Sequence, residues 1–250
     1  MRAIILAAGR GSRLKNLTKN KPKSFLKVKG KKLIDHQIEG LKKNGIKNIA
    51  AVVGYKKEMF KRLKIRLFNN RKWKTTNMVY SLFKANSWLS KYDCIICYGD
   101  ILYDSKIINE LIKDKSLFAI PSNRNWKRDW ESRYKDPLSD LETFKIDRHK
   151  VLKEIGNKPK NYSEIQGQFM GLIKLKKNTS KRLIRIYKNF PSELKKNLQF
   201  THFLNICIKK YKIKINTLSL GNYWFELDNK TDLKVIKKNY QQKIKSEYNY

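Results

Sequence analysis

Residues 3–14 read AIILAAGRGSRL. The first part, Ala3–Ala8, is a continuous apolar run that breaks at Gly9, which is typical of a strand buried inside a parallel sheet. Two glycines directly after such a strand, Gly9 and Gly11, let the backbone approach a bound group closely and turn successive N–H groups toward an anion. This stretch therefore predicts a buried strand that leads into an anion-binding turn.

The segments that follow alternate between helical and strand patterns. Apolar residues recur at helical spacing over residues 33–41, and Gly45 ends that helix. Ile49–Val53 is a second apolar, β-branched run, and apolar residues between 59 and 63 indicate another helix. Because strand, loop, helix, strand and helix follow one another as in βαβ units, we predict an α/β fold with a parallel sheet and crossover helices.

The pattern continues along the chain with one long polar interruption. The further predicted helices are Val79–Leu89, Ser105–Lys113, Thr179–Asn189, Phe200–Lys209 and a Lys-rich helix from Thr231. The further predicted strands are Asp93–Tyr98, Leu117–Ile120, Thr143–Ile146, Val151–Ile155, Phe169–Leu175, Lys212–Leu218 and Tyr223–Leu227. The interruption, Pro121–Pro137, is predicted to be a long loop over the carboxyl ends of the strands. Since the sequence shows no internal repeat and no Pro/Gly/Ser-rich linker, we expect one domain over residues 1–250.

The composition excludes several classes of protein. The 250 residues carry 58 Lys and Arg against 21 Asp and Glu, a formal net charge of +37, yet 40% of them are hydrophobic and 12% aromatic, too many for a disordered polybasic tail. No apolar run approaches the roughly 20 residues that cross a bilayer, and residues 1–8 are too short for a signal peptide. Three cysteines argue against a disulfide framework. We therefore expect a cytoplasmic globular protein without a membrane segment.

The basic excess has two explanations. Either one face of the protein binds a polyanion, or lysine is the default solvent-facing residue. Lysines greatly outnumber arginines and are spread from Lys15 to Lys245 without one dominant cluster, whereas recognition of bases and phosphates favours arginine. This distribution favours dispersed surface lysines over nucleic-acid binding, which stays as the alternative from another functional class.

Positive side chains accompany the glycine turn. Arg13 lies within it and Lys23 follows in a Pro-Lys pair, where both would face a bound triphosphate. A dinucleotide fingerprint needs a third glycine where Leu14 stands, and a P-loop needs four residues between its glycines, so neither motif is present. A purely structural turn explains the glycines but not the Arg and the Pro-Lys at these offsets.

Two carboxylate motifs follow predicted strands. Asp100 ends the run Tyr98-Gly99-Asp100, and Asp228 ends the run Trp224-Phe225-Glu226-Leu227-Asp228. A carboxylate at the carboxyl end of a strand in an open α/β sheet lies where ligands bind, and it suits Mg²⁺, which prefers oxygen ligands. A single Asp in this setting is equally a helix cap, but two in similar settings favour a metal pair.

The run Leu6–Leu14, followed by Thr18 and Lys21-Pro22-Lys23, resembles the nucleotidyltransferase superfamily of the MobA-like and sugar-phosphate type. The resemblance implies a Rossmann-like three-layer sandwich with a mixed, mostly parallel central sheet. It also implies a nucleotide-binding half over residues 1–120 and a substrate-binding half over residues 121–250. The implied roles are nucleotide binding by Leu6 and Gly99, base and ribose contacts from Ala7, Ala8 and Gly9, triphosphate contacts from Gly11, Ser12 and Arg13, charge neutralisation at the α-phosphate by Lys23, and Mg²⁺ binding by Asp100 and Asp228.

Later segments resemble the cytidylyltransferases that activate small phosphorylated or phosphonate head groups. They are Thr76–Leu82, Asp136–Phe144, Glu154–Pro159 and Glu164–Leu172. The resemblance implies CTP as the nucleotide, with Asn77 and Ser81 in its site, and an acceptor such as phosphocholine, phosphoglutamine or 2-aminoethylphosphonate. It also implies that Lys158 reaches the acceptor phosphate, where a solvated surface lysine is the alternative.

The segment around residues 125–140 concentrates acidic and aromatic side chains, which is the exception in so basic a chain. Trp126 and Trp130 offer aromatic faces to a cationic substrate. The expected counter-charges are Asp129, Asp136, Asp140, Glu142 and, from the last motif, Glu226. Because aromatic residues more often pack in a core than recognise a ligand, a lid with buried tryptophans is the alternative.

We therefore predict a CTP-dependent, Mg²⁺-requiring cytidylyltransferase in which the acceptor phosphate attacks the α-phosphorus directly. Catalysis comes from alignment and charge neutralisation by Arg13, Lys23 and Lys158, and no Ser or Cys nucleophile pattern supports a covalent intermediate. A sugar-1-phosphate nucleotidyltransferase is the alternative within the same class. The sequence is also compatible with a homodimer.

Overall fold

The computed structural model describes residues 1–236. The strands are β1 Arg2–Ala7, β2 Lys27–Val28, β3 Lys31–Lys32, β4 Ile49–Val53, β5 Arg66–Asn69, β6 Cys94–Tyr98, β7 Ile101–Tyr103, β8 Phe118–Asn123, β9 Phe144–Ile146, β10 Leu152–Ile155, β11 Gln168–Phe169, β12 Leu172–Leu175, β13 Asn216–Leu220 and β14 Trp224–Glu226. The helices are α1 Leu33–Lys43, α2 Met78–Leu82, α3 Asn86–Leu89, α4 Lys106–Lys113, α5 Trp126–Glu131, α6 Lys177–Lys188, α7 Ser192–Asn197 and α8 Phe200–Lys209. Residues 230–236 are also helical.

The central sheet has eight strands, with β1 in its middle. β1 runs parallel to β4 on one side and to β6 on the other, so that Ile5 pairs with both Ala51 and Cys97. β5 continues the sheet beyond β4 in the same direction. On the other side β12 runs antiparallel to β6 and β8, β11 also pairs antiparallel with β8, and β13 is parallel to β8. The predicted mixed, mostly parallel sheet is confirmed.

Helices cover both faces of this sheet, because its strands are apolar on both sides. On β1, Ile4 belongs to the core under α2, α3, α6 and α8, whereas Ile5 belongs to the core under α1 and α4. Both side chains are completely buried. This arrangement of helix, sheet and helix confirms the three-layer sandwich and is typical of parallel sheets, whose strands read as continuous apolar runs.

The prediction of a loop over Pro121–Pro137 is wrong. β8 extends through Asn123, and a helix, α5, follows it. Pro121 lies in β8 between the residues that pair with β12 and those that pair with β11, and it is opposite Leu218 in the parallel pairing with β13. In α5, Trp126 and Trp130 are four residues apart and share one apolar face, a helical signal hidden by the surrounding charges.

Smaller differences concern element boundaries. The predicted helix Val79–Leu89 is α2 and α3 joined by a 3₁₀ turn, and the helix near residues 59–63 is a 3₁₀ helix, Lys57–Leu63. The predicted strand Phe169–Leu175 is divided between β11 and β12, and the strand Lys212–Leu218 begins only at Asn216. The sequence patterns missed β5 and β7. The Lys-rich helix from Thr231 is observed to residue 236, and its remainder lies outside the described residues.

The three cysteines are unpaired and buried, which agrees with the absence of a disulfide framework. Cys94 and Cys97 face opposite sides of β6, as predicted, because their positions on the strand differ by three, an odd number. Burial raises the pKa of both thiols to about 12. Within residues 1–236 no helix is long and apolar enough to span a membrane.

Candidate active site

The glycine turn follows β1 and places Lys23 beside it. Gly11 has a φ of +74°, and a Cβ at this position would lie 2.8 Å from the Lys23 side chain, so glycine permits the close approach of the lysine. Thr18 holds the turn by donating its hydroxyl to the Gly11 carbonyl at 2.9 Å. Pro22 is extended, and Lys23 begins a short 3₁₀ helix directly after it. The local sequence thus presents an ammonium group at the carboxyl end of β1.

Gly99 brings the end of β6 against the end of β1. Its N–H donates to the Leu6 carbonyl at 2.9 Å, and a Cβ on Gly99 would lie only 2.6 Å from that oxygen. Any side chain here would therefore push the two strand ends apart. Asp100 follows immediately, so its carboxylate lies next to Lys23.

A strand pairing brings the second acidic motif to the same place. β7 pairs antiparallel with β14, with Ile101 opposite Glu226. The Leu227 N–H then donates to the Asp100 carbonyl at 3.0 Å. As a result Glu226 and Asp228, which are more than 120 residues from Asp100 in sequence, lie beside it in space.

These side chains form an ion cluster of Lys23, Asp100, Asp228 and Arg13. The Lys23 ammonium lies 2.8 Å from Oδ2 of Asp100 and 2.6 Å from Oδ1 of Asp228. A guanidinium nitrogen of Arg13 lies 3.2 Å from the same Asp228 oxygen. The Lys23 side chain is 12% exposed and that of Arg13 is 69% exposed, so Lys23 is the inner cation and Arg13 the solvent-facing one.

The cluster changes the acidity of its members. Burial, together with the Asp228 and Asp100 carboxylates, raises the pKa of Glu226 to about 8. Burial opposes charge on Asp228 as well, but the Lys23 ammonium outweighs it and holds the pKa of this carboxyl below its usual value. Burial likewise disfavours the charged form of Lys23, yet Asp100 and Asp228 keep its pKa above the ordinary value. The cluster therefore favours the protonated form of Glu226 and the charged forms of Lys23 and Asp228.

The carboxylates of this site fit a divalent metal ion. One oxygen each from Asp100, Glu226 and Asp228 lie within 4.8 Å of one another. Oδ1 of Asp100 is buried and has no hydrogen-bond partner, so it is an oxygen ligand that the protein itself leaves unused. Carboxylate oxygens are the ligands that hard cations such as Mg²⁺ and Ca²⁺ prefer.

A cavity of about 130 Å³, which we call the turn cavity, opens beside the glycine turn. Of the residues predicted to bind nucleotide, those that line it are Leu6, Ala7, Gly9, Gly11 and Gly99, joined by Lys23 and Asp100. The side chain of Ala8 is buried in the core, and Ser12 is exposed on the turn. Met78 also lines this cavity, although the sequence did not single it out.

A larger cavity of about 450 Å³, the aromatic cavity, adjoins the same cluster. Its rings belong to Tyr98, Trp130, Phe169, Phe200 and Trp224, and its carboxylates to Asp140, Glu142, Glu226 and Asp228. Arg13 is the one basic residue among the lining residues within the described part of the chain. Met78 lines both cavities, and the ion cluster lies between them, because Arg13 and Asp228 line the aromatic cavity whereas Lys23 and Asp100 line the turn cavity.

Four of the residues predicted to bind substrate line the aromatic cavity together: Trp130, Asp140, Glu142 and Glu226. Trp130 is 4% exposed, stacks on Trp224 with ring centroids 5.9 Å apart, and donates its indole N–H to Asp140 at 3.0 Å. Glu142 accepts a 3.0 Å hydrogen bond from the Thr201 hydroxyl, and burial still raises its pKa. A cationic ligand would relieve this penalty by giving the Glu142 carboxylate a counter-charge.

Four other predicted residues are absent from the lining of both cavities. Trp126 packs against Tyr162, Asp129 accepts a hydrogen bond from Asn123, and Asp136 caps a short 3₁₀ helix through the Leu138 N–H. The Lys158 ammonium donates to the Leu138 carbonyl. Their roles in substrate binding stay predictions.

Of the two nucleotide-binding residues predicted near α2, Asn77 lines a cavity and Ser81 does not. Asn77 lines the aromatic cavity, and its backbone N–H donates to the Lys196 carbonyl at 2.7 Å. Ser81 is buried and accepts a 3.0 Å hydrogen bond from the Asn70 side chain. The Ser81 hydroxyl is therefore used inside the protein.

Sequence reasoning missed several residues that line the cavities: Met78, Tyr98, Gln168, Phe169, Gln199, Phe200 and Thr201. Tyr98 directly precedes the Gly99-Asp100 pair, and Gln168 and Phe169 lie within a segment that carries the family resemblance. Their closeness in sequence to these motifs is the signal that could have identified them. Phe200 and Thr201 begin α8, where the sequence indicates only a helix. Their place in the site depends on how α8 packs.

Comparisons with known proteins agree with this geometry. Residues 3–134 match the MobA-like NTP transferase domain family. A CTP:phosphoglutamine cytidylyltransferase of Campylobacter jejuni is 36% identical over 251 aligned residues, which cover 94% of this chain and 98% of that protein. A choline-phosphate cytidylyltransferase of Streptococcus pneumoniae is 38% identical over 132 residues, 50% of this chain and 57% of that protein.

A solved structure confirms the fold. The CTP:phosphocholine cytidylyltransferase from Streptococcus pneumoniae matches with a TM-score of 0.73 at 23% identity, over 96% of this chain and 98% of that one. Because the family match spans more than half of the sequence and the Campylobacter relative aligns over nearly all of it, the chain belongs to the MobA-like NTP transferase family and is a nucleotidyltransferase.

Proposed function

We propose that this nucleotidyltransferase transfers CMP from CTP to a small phosphorylated or phosphonate acceptor that carries an ammonium group, and that it releases pyrophosphate. The observation that carries the proposal is the ion cluster of Lys23, Asp100, Asp228 and Arg13, which lies where the turn cavity meets the aromatic cavity. The relatives that match the chain, which are named as CTP-dependent or as cytidylyltransferases, support CTP as the nucleotide.

The proposed reaction is a direct displacement. An oxygen of the acceptor phosphate or phosphonate forms a bond to the α-phosphorus, the bond from that phosphorus to the bridging oxygen of the β-phosphate breaks, and pyrophosphate leaves. The acceptor is already anionic at neutral pH, so no protein base is needed. Lys23 faces the α-phosphate and compensates the charge that develops there, as preorganised cations do in such sites.

Enzymes of this type generally use a divalent metal, and we propose Mg²⁺ here. Asp100 and Asp228 would hold it, with Glu226 as the third carboxylate of the group. When bound, the ion supplies charge neutralisation on the phosphates. For Glu226 to join as an anion it must first lose its proton, which the added positive charge favours.

The nucleotide roles follow the turn cavity. Leu6, Ala7, Ala8 and Gly9 would contact the base and ribose, with Gly99 opposite them, and the N–H groups from Gly11 to Arg13 would hold the triphosphate. Because Arg13 also lines the aromatic cavity, its guanidinium lies between the two substrates and can serve either phosphate. Asn77 reaches the site from the aromatic side, and Ser81 supports α2 from within the core.

The proposed ammonium subsite is the aromatic cavity. Tyr98 and Phe200 place their rings 5.9 Å apart next to Glu142, and Trp130 closes another part of the wall. Rings and a half-buried carboxylate together favour a primary or quaternary ammonium group. Asp140 adds negative charge, and Glu226 would do so only after losing its proton, whereas Asp129, Asp136 and Trp126 would act from outside the cavity. Lys158 would have to leave the Leu138 carbonyl to reach the acceptor phosphate.

The basic residues near α5 do not offer a counter-charge for an acceptor carboxylate. Arg133 is committed to Asp232, and Arg128 pairs with Asp129 at 3.5 Å. Neither residue lines the aromatic cavity. The proposed recognition element is therefore the ammonium group, which phosphocholine, 2-aminoethylphosphonate and phosphoglutamine have in common.

A substrate panel tests the proposal. Pyrophosphate release is measured with CTP, UTP or dTTP, with Mg²⁺, and with phosphocholine, phosphoethanolamine, 2-aminoethylphosphonate, phosphoglutamine or glucose 1-phosphate. We expect turnover with CTP and at least one ammonium acceptor, and its loss in Asp100→Asn. Faster turnover with UTP or dTTP and glucose 1-phosphate would instead support a sugar-1-phosphate enzyme, and no turnover with any pair would overturn the proposal.

A further inference from the structure

Asp232, which is 1% exposed, organises the backbone that carries Asp228. Its Oδ2 accepts the N–H groups of Asp228 at 2.7 Å and Asn229 at 2.8 Å. In return, the Asn229 side chain accepts the N–H of Asp232 at 3.0 Å. The Asn229–Asp232 pair resembles a capping box at the start of helix 230–236, but the bond to the Asp228 N–H goes beyond that motif. Asp232 thereby restrains the main chain of a proposed metal ligand.

Arg133 holds Asp232 from the other side. Its Nε donates to Oδ1 of Asp232 at 2.9 Å, and its side chain is only 7% exposed. The guanidinium lies 5.1 Å from the centroid of the Trp130 ring. The backbone N–H of Arg133 donates to the Trp130 carbonyl at 2.9 Å. One side chain thus joins the segment just after α5 to the helix 230–236.

Stability alone gives a weak reason for this arrangement. Burying an ion pair costs desolvation that often cancels the attraction between the charges, whereas a well-oriented pair fixes the geometry of whatever it holds. Metal ligands depend on such outer contacts, whose loss lowers metal affinity about 10- to 100-fold. The Arg133–Asp232 pair is such an outer contact of Asp228, because Asp232 accepts the backbone N–H of Asp228 and Arg133 holds Asp232.

We infer that Arg133 is a positioning residue that, acting through Asp232, holds the Asp228 carboxylate toward Asp100 in the arrangement that binds the divalent metal. The inference rests on the proposed function, because it assumes that Asp100 and Asp228 hold the metal. According to this inference, the positively charged Arg133 increases the affinity of the site for a metal cation.

That consequence separates positioning from simple electrostatics. A positive charge near Asp228 repels a metal ion, so removal of the Arg133 charge by itself would tighten metal binding. Loss of positioning predicts weaker binding. Arg128 provides a matched control, because it lies on α5 but its side chain is 66% exposed and pairs with its neighbour Asp129.

The test measures Mn²⁺ binding to the nucleotide-free full-length protein by electron paramagnetic resonance of the free ion. We expect Arg133→Met to weaken Mn²⁺ binding about 10-fold or more, Arg133→Lys to fall between Arg133→Met and the unmodified protein, and Arg128→Met to leave binding unchanged. The Mg²⁺ concentration that gives half-maximal activity should rise in the same order.

Unchanged or tighter Mn²⁺ binding in Arg133→Met overturns the inference. If Arg133→Met does not fold, as judged by circular dichroism, Arg133→Lys decides the question, and binding equal to that of the unmodified protein overturns the inference. If the unmodified protein itself binds no Mn²⁺, the proposed metal site fails and the positioning role fails with it. The binding result for the unmodified protein therefore separates the two failures.

Discussion

The ammonium nitrogen of Lys23 lies 2.6 Å from Oδ1 of Asp228. The same nitrogen contacts Asp100, so one lysine bridges the two carboxylates that are proposed to hold the metal. A bound metal and Lys23 would therefore share the negative charge of these two groups. The lysine serves the phosphates of the nucleotide in the proposed reaction, while it competes with the metal when no nucleotide is bound.

Because of this competition, Lys23→Ala should slow turnover but strengthen Mn²⁺ binding. Turnover should fall roughly 100-fold or more, because a preorganised cation at the α-phosphate is lost. Mn²⁺ binding to the nucleotide-free protein should tighten, because two carboxylates lose their internal counter-ion. Steady-state kinetics and Mn²⁺ titration check both values. Lys21→Ala, an exposed lysine two residues earlier, is the control and should change neither. Weaker Mn²⁺ binding in Lys23→Ala would contradict the shared-charge interpretation.

Glu142 should determine affinity for the ammonium end of the acceptor. In Glu142→Gln we expect the KM for 2-aminoethylphosphonate to rise about 10- to 100-fold, the equivalent of losing one charge-assisted hydrogen bond, with the KM for CTP unchanged. Ethylphosphonate, which lacks the ammonium group, should bind the unmodified protein poorly and be insensitive to the substitution. Equal losses for both acceptors would show that Glu142 acts on folding rather than on recognition.

The raised pKa of Glu226 predicts how the stability of the metal-free protein depends on pH. Between the ordinary value of 4.5 and about 8, the folded protein keeps a proton that the unfolded chain has already lost, so the free energy of unfolding falls as pH rises. The full loss is on the order of 5 kcal/mol. Denaturant unfolding in a chelator, at a series of pH values, should show a flatter dependence in Glu226→Gln.

Glu131→Gln is the control for this experiment, because Glu131 is an exposed carboxylate at the end of α5. It should keep the pH dependence of the unmodified protein. Added Mg²⁺ should reduce the slope in the unmodified protein, since a bound cation favours the ionised form of Glu226. Identical slopes in Glu226→Gln and Glu131→Gln would rule out a perturbed Glu226.

Surface lysines occupy backbone conformations that normally favour glycine. Within residues 1–236, every non-glycine residue with a positive φ is a lysine: Lys15, Lys29, Lys56, Lys64, Lys150 and Lys212. Lys64 is exposed and has a φ of +50° at the end of the 3₁₀ helix Lys57–Leu63. Lys64→Gly should therefore raise the free energy of unfolding by about 0.5–1 kcal/mol, because relief of strain exceeds the entropy cost of glycine.

Urea unfolding measures this change. Lys61→Gly, an exposed lysine inside the same 3₁₀ helix, is the control, and it should lower the free energy of unfolding because its φ is not positive. Stabilisation by Lys61→Gly and not by Lys64→Gly would contradict the strain argument.

Several parts of the site were predictable because they depend on neighbours in sequence. The run Ala3–Ala8 with Gly9 and Gly11 encodes a buried strand and a turn through apolar continuity and backbone freedom. Lys23 follows within reach of that turn, and Asp100 ends a strand beside it. The mixed sheet was therefore predictable, and the two acidic motifs that the sequence singles out lie together in the structure as Asp100, Glu226 and Asp228.

Other parts depended on contacts between distant segments. The β7–β14 pairing brings Glu226 to Asp100. Helix α5 was not predicted because its residues are mostly charged, and the stacking of its Trp130 on Trp224 joins segments that are far apart in sequence. Arg133 is one of several basic residues near α5, and only the folded structure shows that it pairs with Asp232, which is 99 residues away in sequence. Apolar patterning shows which face of an element becomes buried. Which other element covers that face is decided by packing and charge pairing, which form only when the chain is folded.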